Sequence, residues 1–552
     1  MSGVRIEYGD EAIGAKENFN VAVNDNSYIL NVSQIATNSS TLKYSNASEN
    51  YTVALDGAAL PLPSDTQAEA IGWMSSQLSD INGNFNTPLV MNLTSGQNKY
   101  TAIGFTFVSD TISDIYATHL SIEWYRDLTM LDAKDFYPNS STYFCENKVE
   151  YFDKVVIKFY SINMPNARMK LYALVYGYLA TFGRSELRRA NVYQNINPIS
   201  SEIAINTTDF VVDDPKGINY SFQSRQTIKT FFDDKLIGIS FVRSAKRMSK
   251  TIWDIQSEDY IGIMDSVIFV GGIYENKDAS ELLKEIFDTA KVPYIIENLD
   301  GVTVSGHIPY GTCREALMQV AFATQTVVDT SYTEGVHVFA LSDAVSQTIP
   351  LDRIFQGQNT TESTRVTEVN LTVHAYRPIS DKQTVYEATA SGNEILVVFS
   401  EPLHDLEIVN GTIIEGKYGA NYAVINADVG CVLTGQKYDH IQTIKSKKNP
   451  LITATDKDNA KSITNATLIS AENVDNVLEK CYNWLTRTDK VSAKIVEGYH
   501  RDSEGNVVKD AEVMLGDNIN IETAYAGTFN GRVIKTQYNL NGTILVKDVE
   551  II

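Results

Sequence analysis

Few residues of this sequence have both the type and the spacing that enzyme chemistry requires. His307 and Cys313 come nearest, because a thiol in the first turn of a helix has a lowered pKa and an imidazole can take its proton. The ordinary interpretation is a strand histidine and a small buried thiol, since closeness in sequence says little about closeness in space. All four cysteines lie far apart without a C-x-x-C pair, so we expect reduced thiols at Cys145, Cys313, Cys431 and Cys481.

Two acidic segments contain metal-compatible side chains without metal-binding spacing. One turn-like segment, EPLHDLE, contains Glu401, His404, Asp405 and Glu407. It has neither zinc nor EF-hand spacing, so a solvated acidic turn is the expected role. Asp456 and Asp458 begin like a calcium loop, but the required Gly and late Glu do not follow. We predict no metal site in either segment.

The short motifs of nucleotide and hydrolase chemistry are missing too. Gly271 and Gly272 follow a strand, but no G-x-G-x-x-G or G-K-[ST] follows them, so they indicate a turn. The sequence contains no G-x-S-x-G and no H-E-x-x-H. We therefore predict that the chain is not an enzyme and has no catalytic residues, metal or cofactor.

Two further groups of residues could bind a partner instead of reacting with one. The basic group, which is either a solvated turn or a docking surface for an acidic partner, consists of Arg243, Lys246, Arg247 and Lys250. The aromatic group, which is either core or a platform for a sugar, consists of Trp73, Trp124, Tyr116, Tyr125 and Tyr143. No residue is assigned to glycan contact on sequence alone.

Size and charge narrow the possible classes of protein. A chain of 552 residues is too long for one core, and 43% hydrophobic with 21% charged residues is globular composition. The net charge of −22 argues against binding nucleic acid or an anionic membrane. The N-terminus has no apolar signal segment, and the apolar run 171–182 is too short to span a bilayer. We expect synthesis in the cytoplasm and no membrane insertion.

The elements that would position these residues are mostly strands in the first 180 residues. Segments such as TYFCENKVEYF and DKVVIKFYSI are rich in β-branched and aromatic residues. One helix is predicted between them, with Ser64 as its cap and Ile71, Met74 and Leu78 on one face. The charged stretch 181–191 marks the first predicted domain boundary.

Residues 237–341 predict a compact α/β module. A hairpin with RSAKRMSK as its turn precedes two helices with capping-box starts. Asp278 with Glu281 begins the first helix, and Thr312 with Glu315 begins the second. Strands flank both helices, so we expect them to pack on a small sheet.

From about residue 366 the pattern returns to strands. One helix is predicted from Ala471 to about Leu485, led by Ser470. Near the C-terminus, Asn541 and Gly542 between two β-runs predict a tight hairpin.

Several long segments resemble one known family. FVGGIYENKDASELLKEIFDTAKVPY, SGHIPYGTCREALMQVAFATQTVVDTS and NPISSEIAINTTDFVVDD are similar to central hub, or tail-associated, proteins of phages and prophages of Gram-positive bacteria. The closing GDNINIETAYAGTFNGRVIKTQYNLNGTILVKDVEI is similar to the last small barrel of that family. The resemblance covers about residues 183–552 and includes no catalytic motif. The first 180 residues look like a galactose-binding-like sandwich.

The resemblance implies a mainly β chain with an α/β insert. The predicted domains are a β-sandwich at 1–180, the first part of the hub β domain at 181–265, the α/β insert at 266–345, and hub β-barrel domains with one helix at 346–552. The family implies a homotrimer that contacts the tail tube, the distal tail protein and the tape-measure or other tip proteins. The expected location is the virion, at the tip of a phage tail or tail-like particle.

Sequence analysis thus favours a virion structural protein that joins the tail tube to the tip around a central channel. The alternative is a carbohydrate-binding receptor protein of the tail, with host attachment through a surface glycan. Stable binding of nucleic acid is not expected in either case.

Overall fold

The computed structural model describes most of the chain. The described residues are 4–24, 73–109, 114–232, 234–355, 358–453, 455–497, 499–501, 504–509, 511–524, 527–539 and 546–552.

Strands dominate this part of the chain, and the prediction of a mainly β protein with an α/β insert is confirmed. In chain order the first strands are β1 (Val4–Glu11), β2 (Asn20–Val23), β3 (Trp73–Leu78), β4 (Asn84–Thr94), β5 (Tyr100–Ser109), β6 (Ala117–Arg126), β7 (Thr129–Phe136), β8 (Thr142–Phe152), β9 (Lys154–Ile162), β10 (Arg168–Val175), β11 (Gly177–Phe182), β12 (Leu187–Asn195), β13 (Thr207–Asp213), β14 (Thr227–Phe232), β15 (Lys235–Arg247), β16 (Ile252–Glu258), β17 (Ile268–Phe269) and β18 (Gly272–Asp278).

The remaining strands are β19 (Tyr294–Ile296), β20 (Thr303–Ile308), β21 (Gly311–Thr312), β22 (Val327–Asp329), β23 (Val336–Phe339), β24 (Val345–Ile349), β25 (Asn359–Glu362), β26 (Glu368–Glu387), β27 (Gly392–Val398), β28 (Leu403–Tyr418), β29 (Tyr422–Lys448), β30 (Ala460–Ile463), β31 (Asp489–Val496), β32 (Tyr499–Arg501), β33 (Val507–Lys509), β34 (Asn518–Thr523), β35 (Gly527–Asn539) and β36 (Val546–Ile551). The helices are α1 (Ala15–Asn18), α2 (Tyr260–Asp265), α3 (Ala279–Ala290), α4 (Cys313–Thr324) and α5 (Val474–Leu485).

The first unit is a sandwich of two antiparallel sheets. Five strands in the order β2-β4-β9-β6-β7 face four in the order β3-β10-β5-β8. Alternate side chains point between the sheets and form an aromatic core, in which Trp124 stacks on Phe105 and Trp73 on Phe159. This core holds the two sheets together.

A second, larger sheet runs through two separate cores. Its path is β11-β1-β14-β15-β16-β13-β12-β35-β36-β31-β25, with β34 and β24 paired beyond β35. The first lobe, β1 and β11 to β16, surrounds a core that includes Tyr8, Phe182 and Phe210. The second lobe, β24, β25, β31 and β34 to β36, surrounds a core that includes Ile495 and Ile519. Because β12 pairs with β35, one hydrogen-bonded sheet joins the two lobes.

The sandwich is inserted into the first lobe instead of preceding it. Strand β1 lies between β11 and β14, and Glu11 pairs with Gly177. The chain therefore leaves the first lobe and returns to it at adjacent positions. The predicted boundary at residue 180 therefore falls within β11, a strand of the first lobe, and β1 on the other side of the sandwich belongs to the same lobe.

The α/β insert is built on helices whose first turns are set by the sequence. Asp278 accepts a hydrogen bond from Glu281 N at 3.0 Å, and Thr312 with Glu315 forms a reciprocal capping box. The apolar faces of α3 and α4 then pack together with α2, α5 and the start of β26 in one core. The starts predicted for α3 and α4 match these helices.

The last part of the structure is a sheet of long strands, which consists of β26 to β30 and which we call the long-stranded sheet. Strand β29 pairs with β26 and β27 along one edge and with β28 along the other. Leu403 pairs with Lys437, while its N–H donates to Ala420 O at 2.8 Å. Ala420 and Lys437, which are far apart along the chain, thus both contact Leu403. The sheet therefore curls strongly around its own small core.

Three local predictions differ from the structure or lie outside it. The predicted helix with Met74 and Leu78 on one face is wrong, because residues 73–78 form β3 and Trp73 packs into the sandwich core. Ser64, the predicted cap of that helix, lies outside the described residues. The predicted turn at Asn541 also lies outside them, although β35 and β36 pair as expected of a hairpin. The RSAKR part of the predicted turn continues β15, so the hairpin turns later.

None of the helices in the described part of the chain has the length and apolar character that crossing a bilayer requires.

Candidate assembly surfaces

The two residues closest to a nucleophile and its base do not form one. His307 Nε2 lies 2.7 Å from Asn421 Oδ1, and its ring packs edge-on against Tyr376. Cys313 is fully buried at the start of α4, and burial raises the pKa of its thiol to about 11. A nucleophilic thiol needs a lowered pKa, so the structure gives no support for thiol chemistry here.

The acidic segments are satisfied by neighbouring protein groups. His404 Nδ1 lies 2.9 Å from Asp405 Oδ2, and its Nε2 lies 3.1 Å from Lys437 O. Glu407 pairs with Lys382 at 2.6 Å. Over the described ranges, no group of three or more His, Cys, Asp or Glu side chains is arranged to hold a metal ion.

Asp456 and Asp458 also have structural roles. Asp456 accepts hydrogen bonds from Thr453 N at 2.7 Å and Thr453 Oγ1 at 2.8 Å, which closes a turn. Asp458 accepts one from Thr367 Oγ1 at 3.1 Å.

Gly271 is required by backbone packing. Its φ is +60°, and a Cβ at this position would lie 2.1 Å from Ile308 O. The interpretation of Gly271 as a turn residue therefore fits the structure.

The predicted aromatic platform is divided between the core and the surface, because its two tryptophans are core residues whereas Tyr116, Tyr125 and Tyr143 are half-buried. Trp73 and Trp124 are almost fully buried between the sheets of the sandwich. Tyr125 stands apart from them on the outer face of the sheet, where it donates to Glu123 at 2.8 Å. The two tryptophans therefore stabilise the core and cannot contact a sugar.

The basic group predicted in the hairpin is exposed and only partly paired. Arg243 lies 4.0 Å from Glu258 and remains largely exposed. Arg247 stacks on Trp253 and donates to Asn219 at 2.9 Å. Arg247 thus lies at the hairpin end of the first lobe, whereas Arg243 lies further along β15.

Two other loops bring further basic residues to the same end of the first lobe. Asp213 N donates to Glu186 O at 2.8 Å, and Asp214 N donates to Thr251 O at 2.9 Å, so three turns lie side by side. We call this end the basic rim. Its members are Arg184, Arg188, Lys216, Arg247 and Lys250, of which Arg188 forms an ion pair with Asp213. The sequence pattern showed only the hairpin part of it, because the other members come from two separate segments, a turn with the start of β12 and the turn after β13.

A buried amide joins the long-stranded sheet to the insert. Asn421, in the turn before β29, donates through Nδ2 to Val270 O and Ile308 O, both at 2.8 Å. Its Oδ1 contacts His307. Three contacts from one side chain thus fix this turn against the insert.

Two further histidines lie at the same contact. His374 Nδ1 is 2.9 Å from His440 Nε2, and the ring of Tyr376 stacks on His440 with centroids 4.4 Å apart. We call His307, His374 and His440 the histidine junction. Nothing in the sequence pattern indicated it, because its members come from β20, β26 and β29.

A stack of rings lies on the outer face of the sandwich. His119 stacks between Tyr137 and Tyr160, with centroids 4.8 and 4.5 Å away, and Tyr137 is 66% exposed. His119 Nε2 also lies 2.9 Å from Asp135 Oδ1. Sequence analysis missed this stack, although the alternation along β6 does place His119 on the outer face.

No protein-family model and no curated protein matches this sequence. Among solved structures, a tail protein from Neisseria meningitidis MC58 is similar over 67% of this chain and 93% of that chain, with 9% identity and a TM-score of 0.43. The 43 kDa tail protein of prophage MuSo2 from Shewanella oneidensis covers 68% of this chain and 94% of its own, with 7% identity and a TM-score of 0.41. Prophage tail protein gp18 from Listeria monocytogenes EGD-e covers 67% and 90%, with 8% identity and a TM-score of 0.38. At these TM-scores the similarities establish neither a family nor a fold for this chain.

Proposed function

We propose that this chain is a structural component of a phage tail or tail-like particle, and specifically the hub that joins the tail tube to the tip. The proposal combines the sequence resemblance with the described structure, since the TM-scores above are too low to add to it. The observation that carries it is the continuous sheet through both lobes. Such a sheet links the lobes through backbone hydrogen bonds between β12 and β35, which suits a joint that transmits force between the tube and the tip.

The sandwich and the long-stranded sheet are attached to these lobes and to the insert. The sandwich leaves the first lobe through β1 and β11, and Asn421 fixes the long-stranded sheet to the insert. Neither attachment is made through a reactive site, and the residues most suited to catalysis are engaged in packing. This arrangement supports an assembly role without enzymatic activity.

Threefold assembly around a central channel is the finer part of the proposal. Open sheets have edges that must be paired or covered, and a closed ring is one way to cover them. In such a ring we expect an acidic or neutral channel wall, because a basic wall would hold the phosphates of passing DNA. The net charge of −22 supports this expectation. An acidic or neutral channel wall requires the basic rim to face away from the channel.

Particle analysis tests the proposal most directly. Antibody against the chain should label one end of purified tails or tail-like particles, and light scattering with negative-stain imaging of the pure chain should show a threefold ring. Absence of the chain from intact particles would refute the tail role. A strictly monomeric chain that enters particles in one copy would refute only the trimer.

A second candidate function, binding of a host glycan by the sandwich, is favoured by the ring stack. One face of Tyr137 is covered by His119 while the side chain stays largely exposed, which leaves an aromatic face and the nearby Asp135 carboxylate at the surface. Glycan-array binding by the full chain should be lost in Tyr137→Ala. It should persist in Tyr151→Ala, a matched control at another exposed tyrosine. Equal binding by both variants would count against the ring stack.

A further inference from the structure

Three of the seven histidines of the chain meet at the contact between the insert and the long-stranded sheet. His307 is 7% exposed and His374 is 3% exposed. Backbone bonds fix both strands there, since His307 N donates to Thr467 O at 3.3 Å and His374 N donates to Ile469 O at 2.7 Å. The rings therefore cannot turn out to solvent while this contact stays closed.

The hydrogen bond between His374 and His440 limits how many protons the pair can hold. Their facing nitrogens are 2.9 Å apart and share one proton, so one ring must act as the acceptor. If both rings became imidazolium, two N–H groups would point at each other. The closed arrangement thus excludes the doubly protonated pair.

His307 is held in one hydrogen-bonding state. Both donors of Asn421 are used by Val270 O and Ile308 O, so its Oδ1 must accept from His307 Nε2–H. Any added proton goes to Nδ1 and makes the buried ring a cation. Burial opposes that charge.

No hydrogen-bonded carboxylate compensates these rings among the described residues. The groups that face them are Glu401, from the segment before β28, which acts on His307 only through space, and Tyr376, from β26. His307 and His440 also repel a charge on His374. Every other group identified at these rings is a backbone or amide group.

We propose that the histidine junction is a pH-sensitive latch. It holds the long-stranded sheet against the insert while the histidines are neutral, and it releases the sheet when they are protonated. This goes beyond the proposed structural role and does not depend on it.

The direction of the pH dependence follows from proton binding. Burial lowers the pKa of His307 and of His374 in the closed contact, whereas exposed histidines have a pKa of about 6.5. The open state therefore binds more protons, and opening is favoured as the pH falls below about 6.5. The opening equilibrium should rise about tenfold per pH unit for each proton taken up, and about a hundredfold for two.

Hydrogen exchange of the full chain, followed by mass spectrometry in buffer with EDTA, tests the latch. We expect peptides over β20 and the turn at Asn421 to lose protection at least tenfold at pH 5.0 relative to pH 7.5, after correction for intrinsic rates. Peptides over β9 in the sandwich should keep their protection. The double variant His374→Gln, His440→Gln keeps only the proton of His307, so its response should be about tenfold smaller per pH unit than that of the wild type. His404→Gln, outside the junction, should keep the full response.

Three results would overturn the latch: unchanged protection at the junction, equal loss over β9, or a pH response in the double variant that matches the wild type. If the double variant does not fold, exchange of the imidazole Cε1 protons in the wild type decides the matter. A pKa below 6.5 for both His307 and His374 supports the latch, and a pKa of 6.5 or above for either one overturns it.

Discussion

Because the sandwich is inserted between β1 and β11, two deletions that remove similar lengths of chain should have opposite effects on the lobes. One variant lacks residues 13–175 and joins Ala12 to Tyr176 through Asn-Gly. Ala12 N donates to Tyr176 O at 2.8 Å, so a two-residue turn can close this pair as a hairpin. The other variant lacks residues 1–183, which is the division that the predicted boundary near residue 180 suggests.

The second deletion should cost far more stability than the first. It removes two strands from the first lobe together with the buried side chains of Ile6, Tyr8 and Phe182. At about 1.5–3 kcal/mol for each large apolar side chain, the loss is roughly 5–9 kcal/mol. A whole domain is typically stable by only about 5–15 kcal/mol, so this variant should not fold its first lobe. Both deletions also remove Ile103, a sandwich residue that packs against the first-lobe core. Its loss therefore contributes equally to both variants and does not affect the comparison.

Urea unfolding followed by tryptophan fluorescence measures the difference. Trp253 lies on β16 and packs against the first-lobe core, and both variants retain it. The variant lacking residues 13–175 should give a cooperative transition close to that of the full chain. If the variant lacking residues 1–183 unfolds at the same urea concentration, β1 and β11 do not stabilise the lobe and the reasoning fails.

Three smaller perturbations test particular contacts by urea unfolding. Gly271→Ala should destabilise by more than about 1 kcal/mol, because the added Cβ meets a carbonyl oxygen at a positive φ; an unchanged transition would contradict this. Glu497→Gln should lower the free energy of unfolding by about 3–5 kcal/mol, because the buried cations Arg353 and Lys547 would lose their shared carboxylate. A decrease below about 1 kcal/mol would show that these cations do not depend on that carboxylate. Burial raises the pKa of Asp259 to about 7, so the folded state holds the proton of this carboxyl more tightly than the unfolded state does. The contribution of Asp259 to the free energy of unfolding should therefore fall as the pH rises from about 4 to about 7. Asp259→Asn should remove that fall, and identical pH profiles for the wild type and this variant would refute it.

Local signals predicted the elements whose formation depends on neighbouring residues. The starts of α3 and α4 follow from Asp278 and Thr312, whose side chains cap backbone groups three residues away. The alternating strands of the sandwich follow from side chains two residues apart. Where a tertiary contact competes with a local pattern, prediction failed, as at Trp73, which the sandwich core holds in a strand.

By itself, the sequence determined the fold class, the two capped helices of the insert and the lack of the common catalytic motifs. Only the tertiary structure decided which distant strands pair, and so that the sandwich is an insertion between β1 and β11. It also decided that His307 meets His374 and His440, and that the basic rim gathers side chains from three separate segments of the chain. The physical reason is that strand pairing and side-chain clustering join residues many tens of positions apart. A local pattern specifies which face of a strand is buried, but it does not specify which partner covers that face.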